Sequence, residues 1–182
     1  MITNIKQIDE YLFSLSDKSK NTYRSYSYAI KLFCEKMNIQ SWEDIENITG
    51  ADIENYKNIL KRDVSASTVN TRLRPIEAMF GWFVKPMKYL KENPFYGVEY
   101  LSPSKKVQTV LTEEEKLKIF DGAKTAEDKL IIALLLTTGL RREELVNIKL
   151  SDIIDNKYIK IVGKGNKEAL IVLHEDALRF LP

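Results

Sequence analysis

Apolar residues recur at steps of three and four from the start of the chain, so that Ile5, Ile8, Leu12 and Leu15 share one face of a helix. Ser16 to Ser19 breaks the pattern, and Tyr23, Tyr26, Ile30, Phe33 and Met37 resume it as a longer stripe. Thr49 is placed to cap a third helix carrying Ile53, Tyr56 and Leu60. A fourth, from about Thr68 to Val84, turns Val69, Leu73, Ile76, Phe80 and Phe83 inward. Pro75 lies inside that helix and deletes one of its hydrogen bonds, so a kink or a split is expected there.

The periodicity lapses over 93–110, where Asn93-Pro94, Gly97 and Ser102-Pro103-Ser104 are turn and linker signals. Thr112-Glu-Glu-Glu115 then has capping-box spacing and opens a second region. Ala126 to Thr138 is apolar on most sides, which predicts a core helix, and Gly139 suits the left-handed position that ends one. A helix from Arg141 to Ile148 leads to Lys157–Val162 and Glu168–Leu173, two Ile- and Val-rich segments around a Gly-Lys-Gly-Asn-Lys turn. They read as a β-hairpin. His174 to Leu181 opens a last helix. The expected fold is mainly α with a small β-hairpin: a helical domain over 1–95, a linker over 96–109 and an incomplete α+β domain over 110–182.

Composition narrows the class without naming a function. A hydrophobic content of 44% and a charged content of 30% describe a soluble globular chain. The single cysteine, Cys34, excludes an intramolecular disulfide framework and suits a reducing cytoplasm; on an apolar stripe it is a core residue. No secretory signal pattern opens the chain, and the apolar run Leu130 to Leu136 is too short to span a bilayer. The net charge of +2 is unremarkable, but its distribution is not. Between Lys57 and Lys91 eight basic residues face two acids, while Ser41 to Glu54 holds five acids and no base. A basic face toward phosphates fits this pattern, and so does an unevenly charged solvated surface.

Thr137-Thr-Gly-Leu-Arg-Arg-Glu-Glu-Leu145, followed by Gly163-Lys-Gly-Asn-Lys-Glu168, is the most specific signal. In order, spacing and helix-then-hairpin context it resembles the start of the catalytic domain of tyrosine recombinases, the phage integrase family. Leu150-Ser151-Asp152-Ile153 matches the intervening segment. The resemblance implies that Arg141 binds the scissile phosphate, Glu144 supports it from the same side of the helix, and Lys164 is the general acid, with Lys167 the second choice. A planar guanidinium donates two hydrogen bonds to a phosphate and stays charged, and an ammonium on a hairpin donates a proton to the leaving oxygen. The plainer readings are a solvated helix start for Arg141, a polar turn residue for Lys164 and a local ion pair for Glu144. Two cations at the positive end of a helix dipole nevertheless favour an anionic partner.

The first half resembles the same family's core-binding domain, a four-helix, SAM-like DNA clamp, through Ser19, Thr22-Tyr23-Arg24, Ser67-Thr68 and Asn70. That likeness makes Lys20, Thr22, Arg24, Ser67, Thr68, Asn70, Arg72 and Arg74 the DNA-binding candidates. Polar faces of a helical bundle are the alternative for each. The family's His-x-x-Arg and nucleophilic tyrosine have no counterpart after Lys164, since the last tyrosine is Tyr158 and His174 is followed three residues on by Ala177. The expectation is a C-terminally truncated recombinase that binds double-stranded DNA and does not cleave it alone. It needs no cofactor and no metal, is cytoplasmic rather than membrane-bound, and has an intact recombinase or a complementing C-terminal chain as partner. Completion in trans by another chain, or a helical interaction module with no nucleic-acid role, are the competing expectations.

Overall fold

A computed structural model describes residues 4–104, 109–163 and 167–181. The chain divides into two compact units, Met1–Lys106 and Val107–Pro182. In the first unit α1 (Lys6–Phe13), α2 (Lys20–Lys36), α4 (Gly50–Asp63) and α5 (Ala66–Val84) are the four expected helices, and α3 (Trp42–Glu46) is an additional short one.

Small polar residues set where these helices begin. Ser19 accepts the Thr22 amide and Ser65 the Thr68 amide, while Ser41 with Asp44 and Thr49 with Asp52 form reciprocal capping boxes. Each such cap contributes about 1 kcal/mol by satisfying amides that the helix cannot. The apolar stripes then close on one core. Val69, Leu73, Ile76, Met79, Phe80 and Phe83 of α5 are all at most 1% exposed, packed with Ile8, Ile30, Phe33, Ile53 and Tyr56. Phe33 meets Tyr56 at 5.0 Å and Phe80 at 6.2 Å between centroids, both edge to face, an arrangement aromatic quadrupoles favour. Cys34 is buried here, and desolvation pushes its thiol up to about 12, so it stays a neutral packing group.

Pro75 does not break α5, which runs unbroken from Ala66 to Val84. Proline lacks one amide donor, the one that would have served the Thr71 carbonyl, and the rest of the helix ladder carries through. Part of the expected linker also belongs to the first unit. Both ends of the Asn70 amide bond the backbone of Leu101: Nδ2 donates to its carbonyl (2.7 Å) and Oδ1 accepts its N–H (3.0 Å). Lys57, itself buried, donates to the Glu99 carbonyl at 2.9 Å, and Phe95 is buried in the core. Residues 95–101 therefore form a strap held against α4 and α5.

In the second unit α6 (Glu113–Gly122) and α7 (Ala126–Thr138) begin at capping boxes, Thr112 with Glu115 and Thr125 with Asp128. Gly139 ends α7 at φ 66°, the left-handed conformation that costs glycine nothing. Then come α8 (Arg142–Val146), a 3₁₀ turn (Leu150–Asp152), β1 (Ile153–Ile154), β2 (Tyr158–Gly163), β3 (Lys167–Val172) and α9 (Glu175–Leu178). The sheet is antiparallel in the order β1-β2-β3, with Ile159 opposite Ile171 and Gly163 opposite Lys167. Its core is small: Ala133, Leu134, Leu140, Ile159, Leu173 and Ala177. The expected core helix, α7, is covered on one side: Ala133 and Leu134 are buried in this core while Ile131, Leu135 and Leu136 are exposed.

Candidate functional site

Arg141 is the N-cap of α8, placed there by the left-handed turn at Gly139 and by Leu140, which is buried. The spacing of three residues puts Glu144 back over the start of the helix. Its Oε2 accepts the Arg141 backbone N–H at 2.9 Å and its Oε1 accepts Arg141 Nη1 at 2.8 Å. The side chain of Arg141 is 78% exposed, whereas that of Glu144 is 9% exposed. The carboxylate is thus seated against the protein and the guanidinium points out. Hydrogen bonds from the Arg141 backbone and then its side chain hold the Glu144 carboxyl below the ordinary carboxylate range. Such a pair restrains the guanidinium while leaving donors for an incoming phosphate.

Beside it lies a groove of about 360 Å³ lined by Glu144, Lys149, Asp152, Lys160 and Glu168 together with apolar β2 residues. Lys160 bridges to Glu168 at 2.8 Å across the hairpin. Gly163, at the end of β2, stands against Glu144. Lys164 lies outside the described residues. Lys167 is exposed at the start of β3. His174 caps α9, its Nδ1 accepting the Asp176 N–H at 3.3 Å. Among the described residues no group of three or more His, Cys, Asp or Glu is placed to hold a metal, and no helix is long and apolar enough to cross a membrane.

The DNA-binding candidates of the first unit separate into two kinds. Lys20 and Arg24 are exposed on the first turns of α2, and Thr22 shares a hydroxyl contact with the cap Ser19 at 2.9 Å. Ser67 is exposed on the first turn of α5, and Thr68 pairs with Ser65. Arg72 lies over the Tyr28 ring at 5.9 Å and Arg74 over the Tyr100 ring at 5.8 Å. The Tyr100 hydroxyl in turn donates to Glu77. Aromatic backing of this kind restrains a guanidinium without consuming its N–H edge. Asn70 is different: it is buried, and its amide is spent on Leu101. Sequence reasoning read it as a surface residue because its partner lies 31 positions away. Tyr28 and Tyr100, exposed aromatics backing the two arginines, were missed for the same reason.

A helical unit followed by an α/β unit, with an arginine–glutamate pair opening a helix beside a lysine-bearing hairpin, defines an integrase-type chain. Residues 5–87 match the family model described as the phage integrase N-terminal SAM-like domain, and residues 109–181 match that of the phage integrase family. The chain belongs to the phage integrase, or tyrosine recombinase, family. It is 28% identical to tyrosine recombinase XerC of Caldanaerobacter subterraneus over 96% of its own length and 56% of that protein. It is 27% identical to tyrosine recombinase XerD of Rickettsia bellii over 97% of its length and 62% of that protein. The chain therefore spans less than two thirds of these curated relatives. A lambda integrase dimer bound to a COC' core site has the same fold, with a TM-score of 0.75 at 23% identity over 94% of this chain and 63% of that one.

Proposed function

We propose that this chain binds double-stranded DNA as the core-binding and early catalytic portion of a tyrosine recombinase. The observation that carries the reading is the match of both units, in order, to the two integrase family models. Lys20, Arg24, Arg72 and Arg74, with Thr22, Ser67 and Thr68, contact the phosphate backbone, and such contacts position the protein rather than read sequence. Arg141 takes non-bridging phosphate oxygens, Glu144 aims it, and Lys164 is the group that would donate a proton to the leaving oxygen once a nucleophile is supplied. Without His-x-x-Arg and the tyrosine nucleophile, these 182 residues bind without cleaving.

Fluorescence anisotropy with labelled duplex tests this reading. Six cations on phosphates, Lys20, Arg24, Arg72, Arg74, Arg141 and Lys164, give log affinity against log salt a slope of roughly −5, and replacing Arg72 and Arg74 by alanine reduces its magnitude by about 2. Absence of binding at low salt would refute it.

A second reading is supported by the exposed aliphatic side chains of the second unit, among them Leu117, Ile131, Leu135, Leu170 and Val172. Patches of this kind call for further apolar polypeptide, and the second reading is a catalytic unit that accepts the family's remaining motifs from a polypeptide supplied in trans. Mixing with such a polypeptide and nicked or intact site DNA should then yield a covalent protein–DNA adduct, and none with any supplied fragment would refute assembly in trans.

A further inference from the structure

Glu99, Tyr100 and Leu101 are each tied to the helices of the first unit, and the middle residue is tied differently from its neighbours. Glu99 and Leu101 are held through their backbones, by Lys57 at 2.9 Å and by Asn70 at 2.7 and 3.0 Å. Tyr100 is held through its side chain, which meets two residues of α5: its hydroxyl donates to Glu77, and Arg74 lies over its ring at 5.8 Å. Arg74 and Glu77 stand three residues apart on that helix, a spacing at which opposite charges are neighbours and attract one another. Pairs at this spacing close elsewhere in the chain, Glu54 with Lys57 and Glu113 with Lys116 at 2.6 Å, and Arg141 with Glu144 at 2.8 Å. Arg74 and Glu77 instead meet the two ends of one tyrosine. The carboxylate is half-buried and engaged by the hydroxyl, while the guanidinium is exposed and backed by the ring.

We propose that Tyr100 is a positioning residue for DNA binding: it parts Glu77 from Arg74 and so keeps the arginine's N–H edge available to a phosphate. The inference rests on the phosphate contact given to Arg74 above. The work divides between the two ends of the side chain. The phenolic O–H satisfies a carboxylate that would otherwise draw the guanidinium along the helix. The ring attracts the cation through its face, an interaction that uses none of the planar N–H fork. Both chain neighbours of Tyr100 are anchored by backbone bonds, so the ring keeps its place when the hydroxyl alone is removed.

The test compares Tyr100→Phe, Glu77→Gln and the double variant in the full chain, by duplex affinity at low salt and by the Arg74 Nε–Hε NMR signal without DNA. Tyr100→Phe keeps the ring and releases the carboxylate. It weakens duplex binding about two-fold, the strength of an ion pair at this helix spacing, and moves the Arg74 signal as the guanidinium engages Glu77. Adding Glu77→Gln reverses both effects. Removing an acid favours DNA in any background, so the measure is the cycle: Glu77→Gln strengthens binding about two-fold more alongside Tyr100→Phe than alone. A tyrosine that merely fastened the strap would give additive affinities, because glutamine cannot replace the lost anchor. Additive affinities, or an Arg74 signal unmoved by Tyr100→Phe, overturn the proposal. Duplex binding absent from the unaltered chain overturns the DNA reading instead, and the Arg74 signal then decides by itself whether Tyr100 parts the two charges.

Discussion

Asn70 offers the sharpest test of how the first unit is assembled. Replacing it with alanine removes a donor to the Leu101 carbonyl and an acceptor from the Leu101 N–H, at 2.7 and 3.0 Å. A neutral hydrogen bond contributes about 1 kcal/mol net, and Leu101 is half-buried, so water recovers part of the loss. The expected cost is about 2 kcal/mol, which for a unit of this size lowers Tm by roughly 10 °C. Trp42 and Trp82 are the only tryptophans, and both pack in this unit against Phe83, at 5.2 and 5.8 Å. Denaturation followed by tryptophan fluorescence therefore reports the first unit alone. Chymotryptic cleavage after Tyr100 should accelerate in the same variant, because the strap loses its central anchor. Asn70→Asp adds a signed check. A carboxylate there keeps the acceptor but faces the Leu101 carbonyl, so its folded pKa rises above the unfolded one. The penalty is then full at neutral pH and is lifted as pH falls through that folded value, when the protonated acid can donate again. A cost under about 0.5 kcal/mol for Asn70→Ala, with unchanged cleavage, would refute the strap as a built part of the unit.

Three further outcomes are expected. Gly139→Ala should destabilise the second unit by about 1 kcal/mol, since an L-residue is forced to positive φ, and should broaden the resonances of Leu140 and Arg141; two-state melts by circular dichroism measure it. Thr49→Ala should cost about 1 kcal/mol in fluorescence-detected denaturation by removing one half of the α4 capping box. Hydrogen bonds from Thr49 hold Asp52 below its ordinary 3.8, so its contribution is complete above that value and is lost as pH falls below it; Asp52→Asn should flatten that part of the acid unfolding curve.

Local chemistry made much of this architecture legible. Thr49, Thr112 and Gly139 mark helix ends through residues within four positions, and each lies where the spacing puts it. The Arg141–Glu144 pair is legible for the same reason, being three residues apart across a helix start. Short elements hid behind other patterns. The acids of α3 read as a charge tract although Ser41 and Asp44 form a capping box, and β1 is two residues long. Asp155 and Asn156, both at positive φ with Lys157 N–H donating to the Ile154 carbonyl, form the tight turn that could have revealed it. Pro75 does not split α5 as a local rule expects, because that rule counts the one lost bond and not the buried apolar face, Leu73, Ile76, Met79 and Phe80, that holds the helix on both sides of it. Contacts between distant positions left no trace in the pattern: Asn70 with Leu101, Lys57 with Glu99, and Gly163 with Glu144.

The chemistry of the exposed apolar residues separates the two units in a way that bears on what each meets. Among the described residues of the first unit the exposed large apolar ones, Phe13 apart, are the tyrosines Tyr23, Tyr28, Tyr96 and Tyr100, and two of these back arginines. A tyrosine surface is wet, carries hydroxyl donors and tolerates a polyanion. Among the described residues of the second unit the exposed large apolar ones are all aliphatic, and they include Leu117 and Ile119 on α6, Ile131, Leu135 and Leu136 on α7, and Leu170 and Val172 on β3. Aliphatic side chains gain nothing from phosphate and are stabilised only by other apolar surface. Binding of duplex DNA should therefore protect the tyrosine-bearing helices from exchange while leaving the α6 and α7 faces exposed. Their protection requires apolar polypeptide surface rather than DNA, and hydrogen exchange with and without duplex separates the two requirements residue by residue. Equal protection of both faces by DNA alone would show that the division drawn from side-chain chemistry is wrong.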